Sequence, residues 1–398
     1  MNNAGFLKKI GVFSPSVAAG KRVLIRADFD VDAPKGRIPD DLRILRVLPV
    51  IHACLKAGAR VRLIAHRGRP HGTHVKSLSL RPVAKYLERA LKRAVPFVSD
   101  PFADGAERTY EPAPCLLFEN IRFWPGEETN DDAFGAELAR WGDLYINEAF
   151  ANSHRAHASM VALAAKLPAY MGPALYDELR SLQLVRDKPK RPLVAILGGA
   201  KLETKMPLLK QFLKTADAVI IGGVLANTIY AFEGDEIGKS RSEAVPAGRQ
   251  DKSGLNTSSL LRSKKLHIPS DVVVVKSLRG SSRRTVKDIE SVDPDDYIVD
   301  IGERSMKHFS ELLNKAGTIV WNGPFGYTEV PEFARGTKML ARAIARAKAI
   351  SVVGGGDVIA AVGAKTLLRT VTHVSAGGGA MLAFLTGEKL PGVEALRR

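Results

Sequence analysis

Cysteine is almost absent from this chain: only Cys54 and Cys115 occur, and neither stands in a C-x-x-C pair. Two thiols exclude a disulfide framework and a four-cysteine zinc site, and they fit a reducing cytoplasmic setting. Aromatic residues are scarce at 7%, too few for the interleaved stacking platform of a single-strand nucleic-acid binder. No apolar run approaches the roughly 18 residues of a membrane span, so no membrane partner is expected. Residues 1–21 lack the apolar centre of a secretory signal. The G-x-G-x-x-G fingerprint is missing as well, which excludes a nicotinamide-dependent dehydrogenase built on that turn. Gly234 to Ser240 resembles a phosphate loop of the G-x-x-x-x-G-K-S kind. It is one residue short between its glycines and follows a helical pattern rather than a strand, so it reads as a decoy. No internal repeat of fixed period and no long low-complexity segment is present.

Carboxylates are also in short supply. Among 398 residues, 42 Asp and Glu face 59 Lys and Arg, giving a net charge of +17. Such a field favours anionic partners: phosphorylated metabolites, nucleotides or nucleic acid. The segments Arg262–Lys265 and Arg279–Lys287 carry part of the excess, and a nucleic-acid partner through them is the second reading of the charge.

What the chain does contain is a repeated alternation of short β-branched runs with stretches of helical period. Strands are expected at Arg22–Val31, Arg60–Ala65, Cys115–Glu119 and Asp143–Asn147, with helices near Asp41–Lys56, Leu80–Lys92 and Asp132–Trp141. After Lys190 the pattern restarts at Leu193–Leu197, Ala218–Ile221, Val272–Lys276, Thr318–Trp321 and Ser351–Val353. This spacing predicts an α/β fold of βαβ units, with parallel sheets covered by helices on both faces. Two such sets predict two domains, divided in the helical stretch Met171–Arg186. Arg241–Ser263, rich in Ser, Gly and charge, reads as a loop leading into a helix.

Glycine is concentrated where strands end in the second half: Gly198-Gly199, Gly222-Gly223, Gly323–Gly326, Gly354–Gly356 and Gly377–Gly379. Glycine after a strand lets backbone N–H groups approach a phosphate, and the following helix start adds partial positive charge. Lys201 and Lys205 stand four apart at a helix start, where acidic residues are preferred. A bound polyphosphate resolves that conflict. The first half offers a complementary set near strand ends: Arg43, His66, Arg69, Arg122 and Arg155. Together they suit a small molecule bearing phosphate and carboxylate. His154 and His157 share a helical spacing, yet no third metal ligand accompanies them.

These residues stand in blocks that resemble one family, phosphoglycerate kinase, from about Lys21 to Leu396. The blocks are Arg26–Val31, Ala65–Pro70, Phe118–Phe123, Ser153–Ser159, Leu197–Lys205, Ile221–Gly223, Trp321–Gly326, Gly354–Asp357 and Ser375–Ala380. The resemblance implies two Rossmann-like three-layer α/β/α lobes with mainly parallel sheets. Residues 1–170 would hold 3-phosphoglycerate, 171–190 would form the joining helix and hinge, and 191–375 would hold nucleotide. Residues 376–398 would return to the first lobe. It implies reversible phosphoryl transfer between 1,3-bisphosphoglycerate and MgADP, giving 3-phosphoglycerate and MgATP, by a monomer whose lobes close around both ligands. Asp28, Asp30, Arg43, His66, Arg69, Arg122 and Arg155 would hold 3-phosphoglycerate. Gly199, Lys201, Lys205, Gly222, Gly223, Asn322, Pro324, Glu329, Gly355, Gly356, Asp357 and Val358 would line the nucleotide site, with Asp357 on Mg2+ and Glu329 on the ribose. Arg43, Lys201, Lys205, Gly355 and Gly356 would act on the moving phosphoryl group. The chain departs from the family pattern at Asp30 (usually Asn), Val358 (Thr or Ser), Ala376 (Thr), Val224 (Gly) and Glu148 (Asp). Asp30 places a carboxylate beside an anionic substrate and predicts altered affinity.

Overall fold

In the computed structural model, residues 7–200, 202–243 and 262–397 are described. The chain folds as two compact units: residues 1–180 with 387–398, and residues 181–386. Each is built on its own six-stranded sheet.

The first sheet comprises β1 (Arg22–Arg26), β2 (Arg60–Ile64), β3 (Phe97–Val98), β4 (Cys115–Phe118), β5 (Leu144–Asn147) and β6 (Ala169–Met171). Their order is β3-β4-β2-β1-β5-β6, and every adjacent pair is parallel. Near-continuous burial along β1, β2, β4 and β5 marks strands covered on both faces. Helices α1 (Leu42–Lys56) and α2 (Arg81–Leu91) connect strands here, and Ile44, Val47, Ile51, Val83 and Leu87 pack into the core beneath β1 and β2. The order reverses between β1 and β5, so the crevice beyond their carboxyl ends is the natural ligand position.

Helix α3 (Pro173–Asp187) carries the chain from the first unit into the second. The second sheet comprises β7 (Leu193–Leu197), β8 (Ala218–Ile221), β9 (Leu266–His267), β13 (Thr318–Asn322), β14 (Ile350–Gly354) and β15 (His373–Ser375). It runs β15-β14-β13-β7-β8-β9, again parallel throughout, with its switch between β7 and β13. The run at Val272–Lys276 does not join it. That run forms β10 (Asp271–Val275), which pairs antiparallel with β11 (Thr285–Asp288) and β12 (Tyr297–Ile301) in a separate three-stranded sheet. Helices α4 (Leu202–Thr215), α5 (Val224–Glu233), α6 (Glu303–Asn314), α7 (Arg335–Arg346), α8 (Gly356–Val362), α9 (Ala364–Thr370) and α10 (Gly378–Leu385) complete the unit.

The return to the first unit begins at Gly387, not at 376, because α10 follows β15 and buries Ala380, Met381, Phe384 and Leu385 within the second unit. The returning segment docks through backbone and side chain: Gly392 N donates to Ser153 O at 3.0 Å, and Asn147 Nδ2 donates to Gly392 O at 3.0 Å. The β1 expectation to Val31 is shortened at Arg26, since residues 27–31 leave the ladder to line the crevice. Most of the Arg241–Ser263 expectation lies outside the described residues. Among the described residues no helix is long and apolar enough to cross a membrane.

Candidate active site

In the first unit, the strands end in a crowd of cations. Asp28 and Asp30 follow β1, His66 and Arg69 follow β2, Arg122 follows β4, and Arg155 lies beyond β5. Arg43 reaches in from the first turn of α1, where its Nη1 donates to Asp28 Oδ1 at 2.8 Å and Oδ2 at 3.0 Å. Arg122 is buried, donating from Nη1 to Gly68 O at 2.7 Å and from Nη2 to Asn152 Oδ1 at 3.2 Å. Its Nε has no hydrogen-bond partner. Burial, with Arg26 and Arg155 nearby, lowers the Arg122 guanidinium to about 10, still charged at neutral pH. Arg69 stands exposed at the rim and Arg155 is half-buried.

Beneath this surface lies a layer that the sequence reasoning missed. Arg26, the last residue of β1, is fully buried. Its Nε donates to Ser159 Oγ at 2.8 Å, and Ser159 Oγ donates in turn to Glu127 Oε1 at 2.7 Å. Arg26 Nη2 meets His66 Nδ1 at 3.2 Å. A guanidinium only donates, so Nδ1 accepts and the neutral ring keeps its proton on Nε2. Burial first, then Arg26, Arg122 and Arg43, hold the His66 pKa well below the ordinary value, so the ring is neutral at physiological pH. His157 is lowered to about 3 by burial and by Arg122 and Arg26. The signal available for this layer was a charged residue closing the apolar run Val23-Leu24-Ile25.

Asp30 is more than an extra charge. Its Oδ1 accepts from Gly68 N at 2.8 Å, pinning the loop after β2, and its Oδ2 lies 3.7 Å from His66 Nε2.

In the second unit the glycine turns converge at the switch between β7 and β13. Gly198 N donates to Asn322 O, and Gly199 N to Pro324 O, each at 2.9 Å. A Cβ on Gly222 would run into the ring of Phe325, so that glycine is required for close packing. Gly355 adopts φ +112°, a backbone conformation open to glycine, at the start of α8. Beside these turns opens a cavity of about 550 Å³. Gly199, Gly223, Pro324, Glu329 and Asp357 line it, whereas Lys205, Gly222, Asn322, Gly355, Gly356 and Val358 do not. Asn322 is buried and donates from Nδ2 to Gly354 O at 3.1 Å, joining the ends of β13 and β14. Val358 is fully buried. Lys201 lies outside the described residues.

Lys205 is buried on the first turns of α4, and burial lowers its ammonium to about 8 against a smaller raising effect of Asp357. The segment set aside as a decoy takes part in the cavity wall. Lys239 and Ser240 line it, held by Lys239 N donating to Asp296 O and Ile298 N donating to Ser240 Oγ, both at 2.7 Å. The segment follows α5, as its sequence pattern indicated, so it contributes a wall and not a strand-to-helix phosphate loop.

The family model for phosphoglycerate kinase matches residues 15–388. The phosphoglycerate kinase of Desulforudis audaxviator (strain MP104C) is 42% identical over 383 residues, covering 95% of this chain and 97% of that protein. That of Rhizobium meliloti (strain 1021) is 40% identical over 387 residues, covering 96% of each. Among solved structures, phosphoglycerate kinase from Coxiella burnetii superposes with a TM-score of 0.80 at 37% identity, covering 95% of this chain and 96% of that one. The Pyrococcus horikoshii OT3 enzyme gives 0.81 at 30% identity over the same shares.

Proposed function

Because this chain belongs to the phosphoglycerate kinase family, we propose that its two strand-end crevices hold the two substrates of that kinase reaction. The first unit takes 3-phosphoglycerate or 1,3-bisphosphoglycerate through Arg43, His66, Arg69, Arg122 and Arg155. Asp28 orients Arg43, and Asp30 orients the loop at Gly68. The observation that carries this assignment is the crowding of cations at the strand ends, where Arg26, His66 and Arg122 are buried together: burial first, and the neighbouring arginines second, lower the pKa of His66 and Arg122, and an anionic ligand relieves that repulsion. The second unit takes ADP or ATP between the Gly199 and Gly223 turns and the Pro324–Glu329 loop, with Glu329 toward the ribose. Lys201 and Lys205 supply charge to the phosphates, and Gly355 and Gly356 supply backbone N–H donors.

The chemistry asks little covalent work of the protein. The acceptor, carboxylate or diphosphate oxygen, is already ionised, so no general base is needed. Catalysis rests on in-line positioning and on positive charge at the moving phosphoryl group, and Arg43 and Lys201 are the cations assigned to that role. Asp357 presents an exposed carboxylate in the cavity wall. One carboxylate completed by phosphate and water is the ligand set that magnesium takes, so the residues fit the ion. When bound, Mg2+ neutralises phosphate charge. All these groups stand on one chain, which supports action as a monomer. The buried free thiols of Cys54 and Cys115 support a cytoplasmic location.

The test follows from Lys205. Its pKa of about 8 means the free protein loses this charge as pH rises through 8, while a bound diphosphate favours the protonated form. MgADP affinity, measured calorimetrically from pH 7 to pH 10, is expected to fall about tenfold per pH unit above 8, with proton uptake near the midpoint. Lys205→Met binds weakly with a flat profile. A wild-type profile that is flat across the same range overturns the assignment of Lys205 to the nucleotide.

A further inference from the structure

Part of the positive charge around Arg262–Lys265 and Arg279–Lys287 is paired, while Arg262, Lys264, Arg279 and Arg283 stay exposed. Lys276 and Lys287, which border and close the Arg279–Lys287 segment, are neutralised by Asp293 and Asp296, with Lys287 Nζ at 2.6 and 2.7 Å from their carboxylates. Arg284 Nη1 donates to Glu332 O at 3.0 Å, and Lys265 Nζ donates to Leu213 O at 3.1 Å. From Arg335 to Gly387, by contrast, the sequence holds seven Lys and Arg and a single acidic residue, Asp357. That carboxylate faces the nucleotide cavity, so the outer surface of this segment has no anion of its own.

The cations of the segment are organised by helix geometry. In α7, Gly336, Thr337, Leu340, Ala341, Ala343 and Ile344 are buried, and Arg335, Lys338, Arg342 and Arg346 are exposed. The spacing of three, four and four residues puts them on one face, with successive charges about 4.5–6 Å apart along the axis. Helix α9 packs beside α7 and exposes Lys365 and Arg369. Among the described residues Arg335 meets Glu303 at 3.0 Å in an exposed pair, and no carboxylate pairs with Lys338, Arg342, Arg346, Lys365 or Arg369. Five like charges without a carboxylate partner, held on two adjacent helices, repel one another, a cost that an elongated polyanion removes.

We propose that this α7–α9 face binds the phosphate backbone of duplex nucleic acid without regard to sequence. The α7 stripe spans about 16 Å, the axial length of about five successive phosphates on one strand of a B-form duplex. No aromatic residue occurs between Arg335 and Arg369, so stacking on single-stranded bases has no platform. An anionic bilayer is the less suited polyanion, because the apolar side of α7 is buried and Leu368 is the exposed large hydrophobic residue of this face. The face lies outside the proposed substrate and nucleotide residues, so it adds a binding activity to the kinase without replacing it.

Fluorescence anisotropy of a labelled duplex of about 20 base pairs, titrated with the full chain between about 50 and 200 mM KCl, tests this. Binding to four or five phosphates gives a slope of log affinity against log salt near −4. Replacing Lys338, Arg342 and Arg346 together by Ala reduces that slope by about 2.7 and leaves kcat and KM of the kinase reaction unchanged. If the triple variant does not fold, Arg342→Ala alone reduces it by about 0.9. Arg279→Ala with Arg283→Ala serves as the control on the hairpin and leaves the slope within about 0.5 of wild type. Absence of salt-dependent duplex binding overturns the proposal. So does an equal loss from the control variant, or capture by phosphatidylserine vesicles without capture of the duplex.

Discussion

Asp30 shows how one residue takes two parts in the first crevice. Its Oδ1 holds Gly68 N at 2.8 Å, and an asparagine carbonyl would hold it equally well. Its second oxygen lies near His66 Nε2, where a carboxylate would set a negative charge beside the proposed anionic ligand. Two like charges about 4 Å apart cost about 4 kcal/mol at an effective dielectric of 20, and a half-exposed site surrounded by arginines retains a fraction of that. Asp30→Asn is therefore expected to lower KM for 3-phosphoglycerate about tenfold with kcat within a factor of two, as steady-state kinetics would read. An unchanged KM would show that the arginines fully offset the charge. Arg43, His66, Arg69, Arg122 and Arg155 were legible because Arg and His near strand ends have few structural reasons to be there. Arg26, Ser159 and Glu127 were not, because a buried donor chain leaves no periodic mark: each partner lies far from the others in sequence.

At the scale of elements, strands were the most legible features. Leu193–Leu197 and Ala218–Ile221 occupy the expected positions, since strands buried on both faces are continuous apolar runs that end sharply at glycine. The three-stranded antiparallel sheet was not legible, because β10 carries the same β-branched run as a parallel strand and only its partners differ. Glu148 illustrates a junction that the sequence marked only as a departure from the family. It follows β5 and caps the start of α3, its Oε2 accepting from Ala174 N at 2.9 Å and Leu175 N at 3.2 Å. Gly172 is required there, because a Cβ would run into the Glu148 carboxyl. Burial raises Glu148 from 4.5 to about 8 against those two backbone donors. Between these values the folded chain keeps a proton that the unfolded chain releases, so stability falls as pH rises from about 4.5 to 8. The folding constant of Glu148→Gln, from denaturant midpoints, is expected to lose a dependence of up to about tenfold per pH unit over that window. Asp300, which accepts from Gly336 N at the start of α7 and is raised to about 7, leaves a residual slope of the same sign. A full wild-type slope in the variant would place the linkage elsewhere.

At the scale of the whole molecule, the sequence revealed two α/β units and their order because βαβ alternation repeats on either side of one helix. It misjudged where the last crossing falls, since Gly377–Gly379 looks like another turn while the chain remains in the second unit through α10. Net charge was legible as a number and not as a place, because ion pairing in three dimensions cancels some clusters and leaves others bare. Both proposed crevices sit at switch points of parallel sheets, on different units, with cations at the strand ends of one and glycine turns beside a cavity in the other. The most direct measurement is steady-state turnover of the purified chain with 3-phosphoglycerate and MgATP, coupled to removal of the bisphosphorylated product. Turnover of at least about 1 s⁻¹, collapsing in Lys201→Ala without loss of folding, is the predicted result. A wild-type chain that binds both ligands and does not turn over, or a Lys201→Ala variant of normal rate, would contradict it.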